Sequence, residues 1–267
     1  AQHVKKVGVI GAGQMGSGIA QVCALADFEV KLHDLAPDRV KQALATINGN
    51  LARQVSKKTI TEEQRKAALD KIKPAERLED FSDSDLVIES ATEKEDVKKK
   101  IFSDVCQFLR PDAILATNTS SLSITRLAAA TDRPEKFIGI HFMNPVPVMK
   151  LVEIIRGYST SDEVTNLIME TSRKLNKVPV EVNDYPGFVA NRILMPMINE
   201  AIYSLFEGVA GVEEIDTVMK LGMAHPMGPL QLADFIGLDV CLSILNVLHD
   251  GFGNPKYAPC PLLVNMV

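Results

Sequence analysis

A run of glycines lies between two apolar segments, in "VGVIGAGQMGSGIAQ" at residues 7–21. Gly11, Gly13 and Gly16 form the pattern G-x-G-x-x-G. The residues before them read as a buried strand, and the apolar residues after them recur with helical spacing. In that context the first glycine permits a tight turn, the second leaves room for a pyrophosphate, and the third lets the helix pack against the strand. The stretch therefore predicts a dinucleotide-binding βαβ unit.

A carboxylate at the end of the second predicted strand supports the same interpretation. The segment "FEVKLHD" ends in Asp34, at the distance from Gly16 that the βαβ unit requires. An acidic side chain there accepts hydrogen bonds from the adenosine ribose. It would also repel the 2′-phosphate of NADP, and no Arg follows directly to bind that phosphate. The sequence therefore predicts NAD as the cofactor.

Composition is that of a globular protein and argues against two classes of partner. The chain has 267 residues, of which 46% are hydrophobic and 24% are charged, with a formal net charge of −5. An acidic chain lacks the basic surface that nucleic acids require, and no apolar stretch reaches the roughly 18 residues of a transmembrane helix. The cysteines and histidines show neither C-x-x-C nor metal-ligand spacing. We therefore expect no nucleic acid, no membrane and no metal, and a cytoplasmic location without a signal peptide.

Predicted strands and helices alternate through the first two thirds of the chain. Such alternation implies a parallel sheet with helices on both faces. The pattern changes at Pro186-Gly187, after which the sequence reads as helices. We expect an α/β fold: a Rossmann-type NAD-binding domain over 1–185, followed by a smaller all-α domain over 186–267. The predicted strands are 4–10, 28–34, 84–91, 113–118, 136–142, 149–155 and 178–182. The predicted helices are 14–26, 36–56, 61–72, 94–109, 123–130, 161–175, 188–207, 212–221 and 228–250.

One stretch carries a candidate proton-transfer pair. In "GIHFMNPVPVMKLVEII", His141 lies near the end of one predicted strand and Glu153 lies in the next. The link between these strands is too short for a crossover helix, so we expect them to be antiparallel. A turn centred on Pro147 makes His141 and Glu153 cross-strand partners, with Cβ atoms about 4.5–5.5 Å apart. A carboxylate that holds the proton of one imidazole nitrogen leaves the other nitrogen as a base, which oxidation of an alcohol by NAD requires.

Other polar segments have ordinary structural interpretations. Ser121 or Ser123 in "NTSSLSIT" is expected to cap a helix. The segment "ESATEKEDVKKK" is expected to form a solvated helix face, and so is "RQVSKKT" unless a phosphate-rich ligand lies beside it. Asn191 in "PGFVANR" is a polar residue on the first turn of an apolar helix, which gives it a reason to face a cleft.

Five segments together resemble the 3-hydroxyacyl-CoA dehydrogenase family: GAGQMGSGIAQ, NTSSLSI, HFMNPVPVMKLVE, PGFVANRI and HPMGPLQLADFIGLD. The resemblance covers essentially the whole chain. It implies an NAD-dependent oxidoreductase that interconverts (S)-3-hydroxybutyryl-CoA and acetoacetyl-CoA, or longer homologues, in fatty acid or butanoate metabolism. It also implies a homodimer that forms through the C-terminal helical domain. The family continues past the position of Val267 with a Trp-containing tail, so we expect the C-terminus to be incomplete.

The same resemblance implies a role for individual residues. His141 would be the catalytic acid and base, and Glu153 would orient it. The residues implied to bind substrate are Ser120 and Asn191, at the reacting group, and Asn50 and Lys57, at coenzyme A. The residues implied to line the cofactor site are Gly11, Gly13, Gln14, Met15, Gly16, Asp34, Glu93, Lys98, Asn118, Ser120 and Asn144.

Two other interpretations stay open. The chain can be another β-hydroxyacid dehydrogenase, although those that resemble 6-phosphogluconate dehydrogenase use a Lys a few residues before an Asn, and PGFVANRI has no Lys. It can also be a non-catalytic NAD-binding or structural relative, as lens λ-crystallin resembles this family. The His141–Glu153 pair argues against both interpretations.

Overall fold

The chain divides into two units in the structure, a computed structural model that describes residues 3–267. The first unit ends at Asp184 and the second begins at Tyr185. The strands are β1 (Lys6–Ile10), β2 (Glu29–His33), β3 (Ile72–Pro74), β4 (Leu86–Glu89), β5 (Ile114–Thr117), β6 (Phe137–Phe142), β7 (Leu151–Arg156) and β8 (Val178–Asn183). The helices of the first unit are α1 (Gln14–Leu25), α2 (Pro37–Ser56), α3 (Glu62–Lys71), α4 (Glu95–Cys106), α5 (Ile124–Ala128) and α6 (Asp162–Lys174). Those of the second are α7 (Ala190–Phe206), α8 (Val212–Thr217), α9 (Pro229–Ile236), α10 (Leu238–Phe252) and α11 (Pro261–Met266).

The strands of the first unit form one sheet in the order β3-β2-β1-β4-β5-β6-β7-β8. Neighbouring strands are parallel except β6 and β7, which are antiparallel. The strand order reverses at β1, between β2 on one side and β4 on the other. In open α/β sheets, ligands bind outside the carboxyl ends of the strands at such a reversal. The predicted Rossmann-type fold and the antiparallel pair are confirmed, and the chain segments that leave β1, β2, β4 and β5 meet at one edge.

The core of the first unit lies on both faces of this sheet. Every residue of β4, β5 and β6 is buried, as expected when helices cover a sheet on both sides. Burying an aliphatic side chain completely contributes about 1.5–3 kcal/mol, so these central strands form a rigid support for the segments at the edge. Cys23 of α1 belongs to this core, and burial raises the pKa of its thiol to about 12. It therefore packs as a small hydrophobic residue.

Three elements differ from the predicted ones. The helix predicted over 61–72 ends at Lys71, and Ile72–Pro74 pairs with β2 as the short strand β3. Three residues are too few to show the alternating pattern that identifies a strand. The last predicted helix is two helices, because Gly237 between them has a φ of 106°, a conformation that side chains rarely adopt. The helix at Pro261–Met266 was absent from the prediction.

No single helix in the described part of the chain is long and apolar enough to cross a membrane. Helices α9 and α10 reach that length and apolarity only as a pair, and they are bent by 98° at their junction. Ala233, Leu245 and Leu248 of this pair are buried in the hydrophobic core of the helical unit. Their apolar character is therefore accounted for by packing within that unit.

Candidate active site

The predicted glycine turn joins β1 to α1. Gly11 has a φ of 107°, and its N–H donates to the carbonyl of His33 at 2.7 Å, which ties the turn to β2. A Cβ on Gly16 would lie 1.7 Å from the Gly11 carbonyl oxygen, so a side chain there would break the turn. A Cβ on Gly13 would meet open space. The turn therefore leaves a cradle at the N-terminus of α1, and its N–H groups and helix dipole suit a pyrophosphate.

Asp34 lies at the carboxyl end of β2, beside this turn. Its Oδ2 accepts the N–H of Ala12 at 2.9 Å, and its Oδ1 accepts the N–H of Ala36 at 2.9 Å. These two bonds fix the carboxylate against the glycine turn. The geometry fits a dinucleotide whose adenosine ribose keeps both hydroxyl groups.

This arrangement predicts a strong preference for NADH over NADPH. Two like charges about 4 Å apart near a protein surface repel each other by about 4 kcal/mol. Allowing the groups to move apart, we expect kcat/KM to be at least about 100-fold higher with NADH, since each tenfold corresponds to about 1.4 kcal/mol. Steady-state kinetics with both cofactors measure the ratio. Asp34→Asn, which removes the charge and keeps the shape, should narrow it, whereas equal turnover of the two cofactors by the unchanged chain would refute the prediction.

The predicted proton-transfer pair forms as expected. His141 on β6 stands directly opposite Glu153 on β7 in the antiparallel register. The imidazole Nδ1 lies 2.8 Å from the carboxylate Oε1, and the two residues are 8% and 2% exposed. A carboxylate only accepts hydrogen bonds, so Nδ1 is the donor and the lone pair of the neutral ring is at Nε2. The pair is therefore chemically equipped to exchange a proton through Nε2.

Lys98 and Glu89 form a buried ion pair near the carboxyl ends of β4 and β5. The Lys98 ammonium donates to the Glu89 carboxylate at 2.6 Å, and to the Thr117 hydroxyl and the Asn118 carbonyl at 3.0 Å each. The side chains of Lys98 and Glu89 are both 0% exposed. The Asn118 side-chain oxygen in turn accepts the N–H of Phe142 at 3.1 Å, next to His141. The ion pair thus supports the backbone at the carboxyl ends of β4, β5 and β6.

The prediction of a solvated helix face for "ESATEKEDVKKK" is therefore wrong at Glu89 and Lys98, whose side chains are both buried. Glu89 was missed as a site residue because it precedes a charged run. A signal was present for Lys98, which shares the helical spacing of Phe102 and Val105 and is buried with them on one stripe of α4. A lysine on an apolar stripe indicates a buried partner.

Glu93 gathers hydroxyl groups from the loop after β5. Its Oε2 accepts from the hydroxyls of Thr119, Ser120 and Ser121 at 3.0–3.3 Å. Ser123 caps α5 by accepting the N–H of Arg126, as one of the two predicted alternatives required. Two predicted site residues, Glu93 and Ser120, therefore lie together.

A groove of about 640 Å³ runs between α1, α2 and the β6–β7 loop, which comprises residues 143–150. Asn50, Arg53 and Lys57 of the α2 side line one wall, and Asn144 lines the opposite one. Asn50 donates to the Gln21 side chain at 3.1 Å and accepts from Arg53. The groove therefore begins at the glycine turn and ends at a basic rim.

The remaining predicted residues lie near these features or in the helical unit. Gln14 donates to the Asn144 side-chain oxygen at 3.2 Å, across the mouth of the groove. Met15 follows on the first turn of α1 and packs against the core. Asn191 is buried on the first turn of α7.

Comparison with known proteins gives one family for both units. The description "3-hydroxyacyl-CoA dehydrogenase, NAD binding domain" matches residues 6–185, and "3-hydroxyacyl-CoA dehydrogenase, C-terminal domain" matches residues 187–267. The 3-hydroxybutyryl-CoA dehydrogenase of Bradyrhizobium diazoefficiens is 64% identical over 100% of this chain and 91% of its own length. That of Clostridioides difficile is 48% identical over 98% of this chain and 93% of its own.

A solved structure agrees with the sequence relatives. The crystal structure of (S)-3-hydroxybutyryl-CoA dehydrogenase from Ralstonia eutropha superposes with a TM-score of 0.97 at 48% identity, covering 98% of this chain and 93% of that one. The matching models span nearly all of the chain, and they include the domain that binds NAD. The chain is therefore an NAD-dependent oxidoreductase of the 3-hydroxyacyl-CoA dehydrogenase family.

Proposed function

We propose that this protein interconverts (S)-3-hydroxybutyryl-CoA and acetoacetyl-CoA, with His141 as the acid and base. The observation that carries the proposal is the buried hydrogen bond of 2.8 Å between His141 Nδ1 and Glu153 Oε1. The names of the relatives in Bradyrhizobium and Ralstonia supply the substrate class. A buried imidazole held by a carboxylate is a common way to prepare a base for an alcohol proton.

His141 moves the proton of the reaction at its Nε2 atom. In the oxidative direction Nε2 takes the proton of the 3-hydroxyl group, and in the reductive direction the imidazolium returns it to the 3-oxo oxygen. Glu153 stabilises the imidazolium and keeps the Nδ1 proton in place, so that the ring always presents Nε2 to the substrate. When bound, NAD would accept the hydride from the carbon atom that carries the 3-hydroxyl group.

Ser120 and Asn191 complete the proposed contacts with the reacting part of the substrate. The Ser120 hydroxyl, now 3.3 Å from Glu93, can turn to donate to the 3-oxygen. Asn191 offers an amide on the first turn of α7 for the same group or the thioester carbonyl. On the cofactor side, we propose direct contacts from Asp34 and Glu93. The further contacts proposed there are those of Gln14, Met15, Asn118 and Asn144, with Lys98 acting through its bond to the Asn118 carbonyl.

The groove beside α2 is the proposed site of coenzyme A. Its volume of about 640 Å³ is that of an ordinary ligand site, and its rim carries the charges of Arg53 and Lys57. Phosphate groups of coenzyme A would be attracted by that rim. Asn50 offers a side chain to the arm beneath it.

Lys57→Ala should raise the KM for acetoacetyl-CoA and leave kcat unchanged. Lys57 is exposed, and an exposed ion pair contributes about 0.2–1 kcal/mol, which corresponds to an increase in KM of up to about fivefold at low salt. Such a contact is equally strong in the ground state and the transition state, so kcat does not change. Lys58→Ala is the matched control, because Lys58 is the next residue and is also exposed but is not among the residues that line the groove. An unchanged KM for the Lys57 variant would show that Lys57 does not bind coenzyme A and is an ordinary surface residue.

Two alternative functions make different predictions in one assay. A non-catalytic or crystallin-like relative would bind NADH without oxidising it in the presence of acetoacetyl-CoA. Another β-hydroxyacid dehydrogenase would reduce a free 3-oxo acid at least as well as its thioester. The His141–Glu153 pair favours a catalytic protein, and the groove with its basic rim favours the thioester.

A substrate series tests the proposed function. The purified chain is given NADH with acetoacetyl-CoA, 3-oxohexanoyl-CoA, 3-oxodecanoyl-CoA or free acetoacetate, and NADH absorbance is followed. We expect the highest kcat/KM with acetoacetyl-CoA and almost none with acetoacetate. A preference for the longest thioester would keep the reaction and change the proposed substrate, and turnover of acetoacetate alone would refute the proposal.

We also propose a homodimer that forms through the helical unit. Large apolar side chains are exposed there, including Ile193 at 66%, Leu221 at 83% and Phe235 at 74%. Exposed apolar side chains that lie together form association surfaces, and two-fold dimers are the commonest closed assembly. Light scattering at micromolar concentration should give about twice the chain mass of 29.2 kDa. A mass equal to one chain would contradict the proposal.

A cytoplasmic location is proposed on the distribution of the thiols. Cys23, Cys241 and Cys260 are buried among apolar residues, where they pack as hydrophobic side chains. Such use of cysteine is typical of proteins in a reducing compartment. Fractionation of cells that express the natural gene would test the location.

A further inference from the structure

A buried lysine outside the catalytic pair holds the β6–β7 loop. Lys177 lies between α6 and β8 and is only 8% exposed. Its ammonium donates to the carbonyl of Val146 and, at 2.7 Å, to the carbonyl of Met149. The next residue, Val178, donates its N–H to the carbonyl of Lys150 at 2.8 Å. Three carbonyls of one loop are therefore bound by two consecutive residues.

A buried ammonium group is an expensive way to bind two carbonyls. The acceptors described for Lys177 are neutral, and burial, with the nearby charge of Lys150, lowers the pKa of its amine. Removing an ionised group from water costs free energy that neutral acceptors offset only in part. A methionine of similar shape would pack at this position without that cost. The hydrogen bonds of this costly buried amine to two loop carbonyls therefore indicate a role in fixing the loop.

The opposite side of the loop forms part of the groove. Val146 packs into the space left by Gly18 of α1, where a Cβ would lie 2.7 Å from the Val146 Cβ. Pro147 and Val148 line the groove, and Val148 is 71% exposed. Packing therefore anchors Val146 but does not hold Val148. The bonds from Lys177 to the carbonyls on either side of Pro147 and Val148 hold that part of the wall.

We propose that Lys177 is a positioning residue that fixes the β6–β7 loop as the wall against which the coenzyme A arm of the substrate binds. The inference rests on the proposed function of the groove. Lys177 itself is not among the residues that line the groove, so it acts through the loop. Its effect should therefore fall on binding of the arm, and much less on proton transfer by His141.

The experiment compares Lys177→Met with the unchanged chain at a temperature well below unfolding. Binding of free coenzyme A is measured by calorimetry, and kinetics are measured with acetoacetyl-CoA and with acetoacetyl-N-acetylcysteamine, which lacks the nucleotide and most of the arm. We expect the Kd of coenzyme A and the KM of acetoacetyl-CoA to rise about tenfold, below the roughly 10²-fold that a 1 Å misplacement of reacting atoms costs. The Kd of NADH and kcat/KM for the truncated thioester should stay nearly constant.

Two further variants make the result decisive. Lys174→Met removes a lysine three residues away whose side chain is 46% exposed, and it should change none of these values. Lys177→Arg keeps donors at this position and should recover most of the binding, and it serves as the test if the Met variant does not fold. A lowered melting temperature with unchanged coenzyme A binding would reduce Lys177 to a structural role and overturn the proposal. An equal loss with both thioesters would also overturn it, because the loop would then act on the reacting atoms.

The failure of the proposed function gives a different result. If the unchanged chain does not bind coenzyme A, the groove is not its site, and both proposals are refuted. If the unchanged chain binds it and Lys177→Met binds it equally well, only the role of Lys177 is refuted.

Discussion

His141→Gln should lower kcat for acetoacetyl-CoA reduction by about 10²- to 10⁴-fold, the usual contribution of a positioned general acid or base. Glutamine has nearly the reach of histidine and can still hydrogen-bond Glu153, but it cannot carry the proton. The Kd of NADH, measured by fluorescence titration, should change little, because the glycine turn and Asp34 are untouched. A variant that kept at least one tenth of the activity would show that His141 does not transfer the proton.

Glu153→Gln tests the other half of the pair. An amide in place of the carboxylate removes the charge that stabilises the imidazolium and can hold the wrong tautomer of the ring. We expect kcat to fall by about 10²-fold or more. Full activity of this variant would make the hydrogen bond of 2.8 Å between the two side chains a purely structural contact.

Lys98→Met should produce the largest loss of stability among single changes near the site. It leaves the Glu89 carboxylate, which is 0% exposed, without its cation. Breaking a buried ion pair by removing one partner costs about 3–5 kcal/mol, because the remaining charge stays uncompensated. Urea denaturation, followed by circular dichroism, should show the loss as a lower midpoint for the first unit.

Two controls separate this effect from the loss of any lysine on α4. Lys100→Met removes a side chain that is 76% exposed and pairs with Asp104 on the surface, so its effect should stay within about 0.5 kcal/mol. The double variant Lys98→Met with Glu89→Leu replaces the pair by apolar groups and should recover much of the stability. If Lys98→Met and Lys100→Met lost equal stability, the buried pair would contribute little.

The sequence was sufficient to predict the parts of the site that depend on local patterns. The glycine turn, Asp34 and the opposition of His141 to Glu153 follow from spacing within one or two adjacent elements. A turn centred on Pro147 fixes a cross-strand register by geometry alone. Ser123 as a helix cap is a local pattern of the same kind.

The features that the sequence did not predict depend on contacts between distant segments, and for Lys98, already named as a site residue, the missing feature is its burial with Glu89. Glu89 and Lys98 are nine positions apart in the chain but meet Thr117 and Asn118 of the next strand, 19 and 20 positions beyond Lys98. Glu89, at the start of a charged run, gives no local sign of such burial, and the spacing of Lys98 with Phe102 and Val105 is the one local sign for its partner. Strand β3 was missed for a related reason, since it forms only because β2 offers it an edge. The sequence did not indicate that Lys177 is buried, because the carbonyls that it binds belong to a loop 28 and 31 positions away.

A double-mutant cycle on catalysis tests whether His141 and Glu153 act as one proton-transferring unit. The single-turnover rate of acetoacetyl-CoA reduction is measured at saturating NADH for the unchanged chain, His141→Gln, Glu153→Gln and the double variant. Residues that act as a unit have non-additive effects, so removing both costs little more than removing the more important one. We expect the rate of the double variant to equal that of His141→Gln within about twofold. A double variant slowed by the product of the two single effects would contradict this expectation.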